Sequence, residues 1–110
     1  MGTYYTTGAS KADIVAELKR EYQTIKACVR GNVMYAIVRG STHPTVIGVF
    51  LLSKAGGDWG YKPMDESVGP FYWNCPLAYL NEVPDPREGY STKWRENVRR
   101  VARGEAAIIE

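Results

Sequence analysis

The sequence of 110 residues is poor in the side chains that most often build metal and nucleophile sites. It has two cysteines, one histidine and two phenylalanines. Cys28 and Cys75 are far apart and form no CxxC, and His43 stands alone. One histidine and two cysteines fall short of a closed four-ligand zinc site, so a structural metal is not expected and no cofactor is implied. No window approaches 18 uninterrupted apolar residues, which excludes a transmembrane helix. The first residues, Met1-Gly2-Thr3-Tyr4-Tyr5, lack the basic stretch and apolar core of a secretory signal. The expectation is therefore a reduced, cytoplasmic protein with free thiols. No GxGxxG and no P-loop ending in GKS or GKT is present, so phosphate cradling by a glycine-rich loop is not indicated.

What is present suits one domain covering 1–110. The mass is 12.3 kDa, 45% of residues are hydrophobic, 24% charged and 12% aromatic, and the net charge is +2. This composition is globular rather than disordered. A charge so close to neutral does not by itself point to nucleic acid.

Periodicity organises the chain. Ser10 and Asp13 read as a capping box opening a helix from Lys11 to about Tyr22, with Ile14, Val15, Leu18 and Tyr22 on one stripe. Ile25, Ala27 and Val29 alternate with polar neighbours as a strand, and Gly31-Asn32 turns it into a second strand over 33–39. Thr45 to Ser53 is a third strand, apolar on both faces and so internal. Ala55-Gly56-Gly57-Asp58 is a turn, and Trp59 to Asn74 reads as an aperiodic loop. Pro76 suits the first position of a short helix capped by Asn74 or Cys75 and ended by Pro84 and Pro86. A last helix runs from about Ser91 to Arg103 and stops at Gly104, with Trp94, Val98, Val101 and Ala102 inward. The expected fold is α+β: a three- to four-stranded antiparallel sheet with helices packed on it, in the order α-β-β-β-α-α.

Three features invite a functional reading. The loop contains Trp59, Tyr61, Lys62, Asp65, Glu66, Tyr72 and Trp73. Its carboxylates are either an acid/base or ligand pair, or acceptors for turn amides. Its aromatics are either a cap on the sheet or a partner-binding surface, since Tyr and Trp dominate interface hot spots. Second, Cys75 at a helix N-terminus would have a lowered thiol pKa, and with His43 and Asp65 a Cys-His-Asp triad can be drawn. The alternative is a small buried residue at a loop–helix junction. Third, the last helix carries Lys93, Arg95, Arg99, Arg100 and Arg103 against Glu96. On a helical wheel the arginines occupy the arc opposite the apolar stripe, a ridge for phosphates or an acidic surface. The alternative is a solvated face that favours the helix dipole.

The motif Gly60-Tyr61-Lys62-x-Met64-Asp65-Glu66-x-x-Gly69-Pro70, followed by Cys75-Pro76 and Trp94-Arg95, resembles an uncharacterised family of small bacterial and phage-borne proteins. The family position matching Pro63 is usually polar, and that matching Val68 is often methionine. The resemblance implies an accessory protein of phages, plasmids or integrated elements, with no established activity. It points to binding of a host or defence-system protein, such as a counter-defence inhibitor of anti-CRISPR or anti-restriction type. Two other readings stand beside it. One is a small enzyme or ligand-binding protein using Cys75, Asp65 and Glu66. The other is a nucleic-acid binder through Lys93, Arg95, Arg99, Arg100 and Arg103. Pairing of two copies through exposed aromatics is a further arrangement, and no membrane contact is indicated.

Overall fold

The computed structural model describes residues 4–40, 43–63, 73–77 and 92–107. In these the order is β1 (Tyr4–Thr6), α1 (Lys11–Glu21), β2 (Thr24–Arg30), β3 (Val33–Val38), β4 (Val46–Ala55), β5 (Asp58–Pro63), β6 (Trp73–Pro76) and α2 (Thr92–Ala102). The sheet is antiparallel, with strands ordered β1-β5-β4-β3-β2, and the short β6 also pairs with β4. The α+β class matches the sequence reading, and the sheet is larger than expected.

α1 begins where the sequence places it. The Ser10 side chain accepts from the Asp13 N–H at 3.1 Å, and the Asp13 carboxylate accepts from the Ser10 N–H at 2.9 Å. This reciprocal capping box satisfies two of the amide donors that a helix start leaves without partners. It also holds the Asp13 carboxyl below its ordinary range, chiefly through the Ser10 amide. Tyr22 caps the end of the helix, and the next residue, Gln23, is a non-glycine residue at φ 47°.

Two of the strand pairs, β2–β3 and β4–β5, are joined by two-residue turns. Gly31 and Gly56 each occupy the first turn position at positive φ, and Arg30↔Val33 and Ala55↔Asp58 are the flanking pairs. That is the pattern of a type II′ hairpin, whose twist matches that of its strands.

Both faces of the sheet are covered. Met34, Ala36, Val38, Val46, Phe50, Leu52 and Tyr61 pack with Ile14 and Leu18 of α1 on one face. Tyr35, Ile37, Ile47 and Val49 pack with Val98 and Val101 of α2 on the other. This two-sided burial explains why β3 and β4 read as continuous apolar runs rather than alternating ones.

Tyr4–Thr6, strand-like in composition, forms an edge strand paired with β5. Two expectations are corrected. Residues 58–63 are a strand rather than the start of a loop, because Gly60 is needed where β1 approaches: a Cβ there would lie 2.1 Å from the Tyr4 carbonyl oxygen. Cys75 and Pro76 lie in β6, not at a helix start. Val46↔Pro76 is a strand pairing, and proline is tolerated where the ladder needs no N–H from it. Beyond Leu77 the expected middle helix lies outside the described residues.

Candidate functional site

Among the described residues, the most exposed aromatic side chains gather at the β1–β5 margin. Gly60 makes room for this arrangement. With no side chain there, the Tyr5 ring lies over Gly60, and a Cβ would meet Tyr5 Cδ1 at 2.7 Å. Tyr5 Oη shares a 3.1 Å hydrogen bond with Ser53 Oγ, which fixes the far end of the ring. Tyr4 projects to the other face and stacks on Tyr61 with ring centroids 5.5 Å apart. Tyr4 and Tyr5 are 51% and 45% exposed, whereas Tyr61 is 7% exposed.

Behind Tyr4 a ladder of rings runs into the core. Tyr61 meets Tyr22 and Phe50 at 6.5 and 6.1 Å in edge-to-face arrangements, and Tyr22 meets Phe50 at 5.1 Å. Such contacts add to the area each ring buries and leave the outermost ring little freedom to lose on binding. The Tyr61 hydroxyl donates to Glu21 Oε2 at 3.1 Å. Burial, then the neighbouring Tyr22 hydroxyl and Glu21, push the Tyr61 pKa far above its ordinary value. Burial likewise raises that of Tyr22. Both phenols stay protonated near neutrality, so they act as hydrogen-bond donors rather than as bases.

Trp59 and Lys62 sit on the same strand, each half-buried. Lys11 Nζ lies 5.7 Å from the Trp59 ring centroid, donates to Asn32 Oδ1 at 3.1 Å and also contacts the Gly31 carbonyl. The cation–π contact therefore staples α1 to the sheet. Nearby, Asp58 Oδ1 accepts from the Gly8 N–H at 2.5 Å, and Glu17 Oε2 accepts from Thr6 Oγ1 at 3.4 Å. These bonds border an open cleft of about 350 Å³ lined by Thr6, Thr7, Gly8, Asp13, Glu17 and Arg20. Its carboxylates at Asp13 and Glu17 already serve the helix cap and β1.

The α2 surface differs from the expected ridge. Arg95 is 9% exposed and Asn97 is fully buried, beside Val98 and Val101. At 100° per residue the buried arc spans about 160° and takes in Asn97 at one border and Arg95 at the other. Arg95 therefore belongs to the packed face; a long arginine stem covers apolar surface readily. The remaining arginines meet carboxylates. Arg99 lies 3.7 Å from Glu96, Arg103 lies 3.8 Å from Glu96 and 2.5 Å from Glu105, and Arg100 lies 3.5 Å from Glu105. Arg100 Nε also donates to the Ala106 carbonyl at 2.9 Å.

Glu105 reaches this cluster because the chain turns back after α2. The Gly104 N–H donates to Val101 O at 2.9 Å, the Glu105 N–H donates to Arg100 O at 2.8 Å, and Gly104 has φ 81°. This is a Schellman motif. The Arg103 contact holds the Glu105 carboxyl below its ordinary range. The tail then continues inward: Ala107 is buried and its N–H donates to Cys28 Sγ at 3.4 Å.

The remaining expected residues are not brought together. His43 is exposed in a bend before β4. Cys75 lies in a strand rather than at a helix start. Asp65, Glu66 and Tyr72 lie outside the described residues, as do the side chains of Lys93, Trp73 and Cys75. Among the described residues, no group of three or more His, Cys, Asp or Glu side chains converges on a metal position. Among the same residues, no helix is long and apolar enough to cross a membrane. Sequence reasoning missed Tyr4 and Tyr5 as surface, although Thr-Tyr-Tyr-Thr has strand composition, and missed Glu105 as the partner of the arginines. No family model matches the chain, and no curated protein or solved structure matches it either.

Proposed function

We propose that this protein works by binding a macromolecular partner through the β1–β5 margin. In this reading it is a cytoplasmic accessory protein of a phage or mobile element, and its partner is a host or defence-system protein that it occludes. The observation that carries the binding role is the adjacent pair Tyr4 and Tyr5, exposed on opposite faces of an edge strand and braced by Tyr61 and Ser53. Rigid, half-exposed tyrosines are the side chains that most often anchor protein interfaces. The phage and counter-defence context rests on the motif from Gly60 to Pro76 with Trp94-Arg95. The paired arginines of α2 weigh against a nucleic-acid role, because phosphates must compete with Glu96 and Glu105 for them.

The test is affinity capture of the tagged protein from host lysate, with and without nuclease, alongside a Tyr4→Ser/Tyr5→Ser double variant whose fold is checked by circular dichroism. The reading expects a stoichiometric protein partner that survives nuclease and is lost with the double variant. Recovery abolished by nuclease would transfer the role to nucleic acid. A partner retained by the folded double variant would overturn the β1–β5 margin as its site.

A further inference from the structure

We infer that the cleft where the end of α1 meets the end of β3 is a binding site for a small zwitterion, a molecule carrying one ammonium and one carboxylate group. The cleft measures about 290 Å³ and is lined by Glu21, Tyr22, Gln23, Arg39 and Gly40. That volume lies at the small end of ligand pockets. The site uses neither Tyr4 nor Tyr5, so it stands apart from the proposed partner surface.

Local structure builds the cleft. The Tyr22 N–H donates to the Leu18 carbonyl at 3.0 Å and closes the helix. Gln23 then turns the chain into β2 at φ 47°. The Arg39 N–H donates to the Gln23 carbonyl at 3.3 Å, which ties the chain leaving β3 to this turn. Gly40 follows, its N–H donating to the His43 carbonyl at 3.1 Å. A Cβ at Gly40 would lie 2.8 Å from Val46 Cγ1 and from the His43 carbonyl oxygen, so the chain there is held against β4. Backbone bonds thus fix the points from which Glu21 and Arg39 extend.

Charge decides the ligand. Glu21 and Arg39 line the same cleft without forming an ion pair. The Tyr61 hydroxyl donates to Glu21 Oε2 at 3.1 Å, and among the described residues nothing bonds Oε1. The Arg39 guanidinium meets no carboxylate among the described residues, whereas Arg100 and Arg103 both reach Glu105. An inorganic anion drawn to Arg39 meets Glu21 in the same small space, and a simple cation drawn to Glu21 meets Arg39. A zwitterion satisfies both: its carboxylate accepts from the planar guanidinium fork, and its ammonium donates to Glu21. The half-buried Tyr22, backed by Phe50 at 5.1 Å and Tyr61 at 6.5 Å, gives the methylene groups between the two charges an aromatic wall.

Gln23 supports the same assignment from the backbone. Glycine is the residue at ease at positive φ, yet this position holds a long side chain whose amide both donates and accepts. Sparsely populated backbone conformations gather at ligand sites. Gln23 is exposed and lines the cleft, so its amide adds a polar group beside the two charges.

NMR titration of the full chain with an ω-amino acid series tests this, from glycine through β-alanine and γ-aminobutyrate to ε-aminocaproate. The series varies only the span between the two charges. The expected result is a saturable shift of the Gln23, Arg39 and Gly40 amides with at least one member. For that member, the N-acetyl form and the methyl ester should each bind about tenfold more weakly, which tests both charges without any variant. Arg39→Gln should weaken the parent amino acid about tenfold and leave the methyl ester unchanged. Glu21→Gln, whose amide oxygen still accepts from Tyr61, should weaken the parent and leave the N-acetyl form unchanged. Circular dichroism checks both folds. No saturable shift at these amides up to high millimolar concentration would overturn the inference. So would blocked forms that bind as well as the parent, or binding that both folded variants retain.

Discussion

Arg100 and Glu105 are joined twice: the Glu105 N–H donates to the Arg100 carbonyl at 2.8 Å, and their side chains meet at 3.5 Å. The backbone bond belongs to the turn after α2. The side-chain contact stands where a Schellman motif often has an apolar one. The same turn that ends the helix thus reduces the positive charge on its surface.

Removing that carboxylate should make α2 more basic without unfolding it. Glu105→Gln should raise non-specific binding to DNA and steepen its dependence on salt, relative to the parent chain. The change in melting temperature should be small, because the pair is solvent-exposed. Fluorescence anisotropy with a labelled oligonucleotide at two salt concentrations measures both.

The two helix ends should respond oppositely to glycine chemistry. Gly104 at φ 81° favours glycine, so Gly104→Ala should cost about 1 kcal/mol. Gln23 at φ 47° bears a left-handed conformation with a full side chain, so Gln23→Gly should stabilise by about 0.5–1 kcal/mol. Urea denaturation of both variants checks the pair of signs, and equal signs would contradict the backbone account.

Gly60→Ala should release β1. The added Cβ would collide with the Tyr4 carbonyl oxygen, a backbone atom, so the strand rather than a side chain must move. Overpacking of this kind costs about 1–3 kcal/mol. The Tyr4 and Tyr5 rings should become more mobile and the capture of a partner weaker. Fluorescence quenching of tyrosine and the pull-down report the two effects.

Two pH effects follow from the shifted groups. The Asp13 carboxyl lies below its ordinary value of 3.8, so its contribution is complete above that value and is lost as pH falls through the lowered folded value. Ser10→Ala should remove this acid sensitivity and cost about 1 kcal/mol at neutral pH. The Tyr61 hydroxyl lies above its ordinary value of 10.0, so stability should fall as pH rises past 10. Tyr61→Phe should flatten that alkaline limb. Thermal melts across pH 2–11 resolve both.

The parts of the fold that obey local rules were legible. Ser10 and Asp13 announced α1, Gly31-Asn32 announced a hairpin, Gly56-Gly57 announced a turn, and the two-faced apolar run at 45–53 announced an internal strand. What escaped were segments whose structure depends on distant partners. β5 looks like a loop because Gly60 and Pro63 break its pattern, and only the approach of Tyr4 explains the glycine. Pro76 suits a helix start or a strand edge equally well, and the pairing with Val46 decides it. Arg95 was misplaced because an apolar stripe read from hydrophobic residues alone underestimates a buried arc bordered by Arg95 and Asn97. Of the candidate site, Trp59, Tyr61 and Lys62 were named from the sequence as members of a loop and lie on β5, while its most exposed members, Tyr4 and Tyr5, were not named.

The pairing of Tyr4 with Tyr61 joins the first strand to the fifth, across everything from α1 to the β4–β5 turn. The hairpins β2–β3, β3–β4 and β4–β5 connect near neighbours and close little chain each. Loop-closure entropy therefore favours the meander as the early-folding unit, with β1 docking afterwards onto a finished β5. Gly60 then has a kinetic consequence as well as a steric one. Until β1 arrives, β5 is an open edge in a partly folded chain, the kind of surface on which misassembly begins.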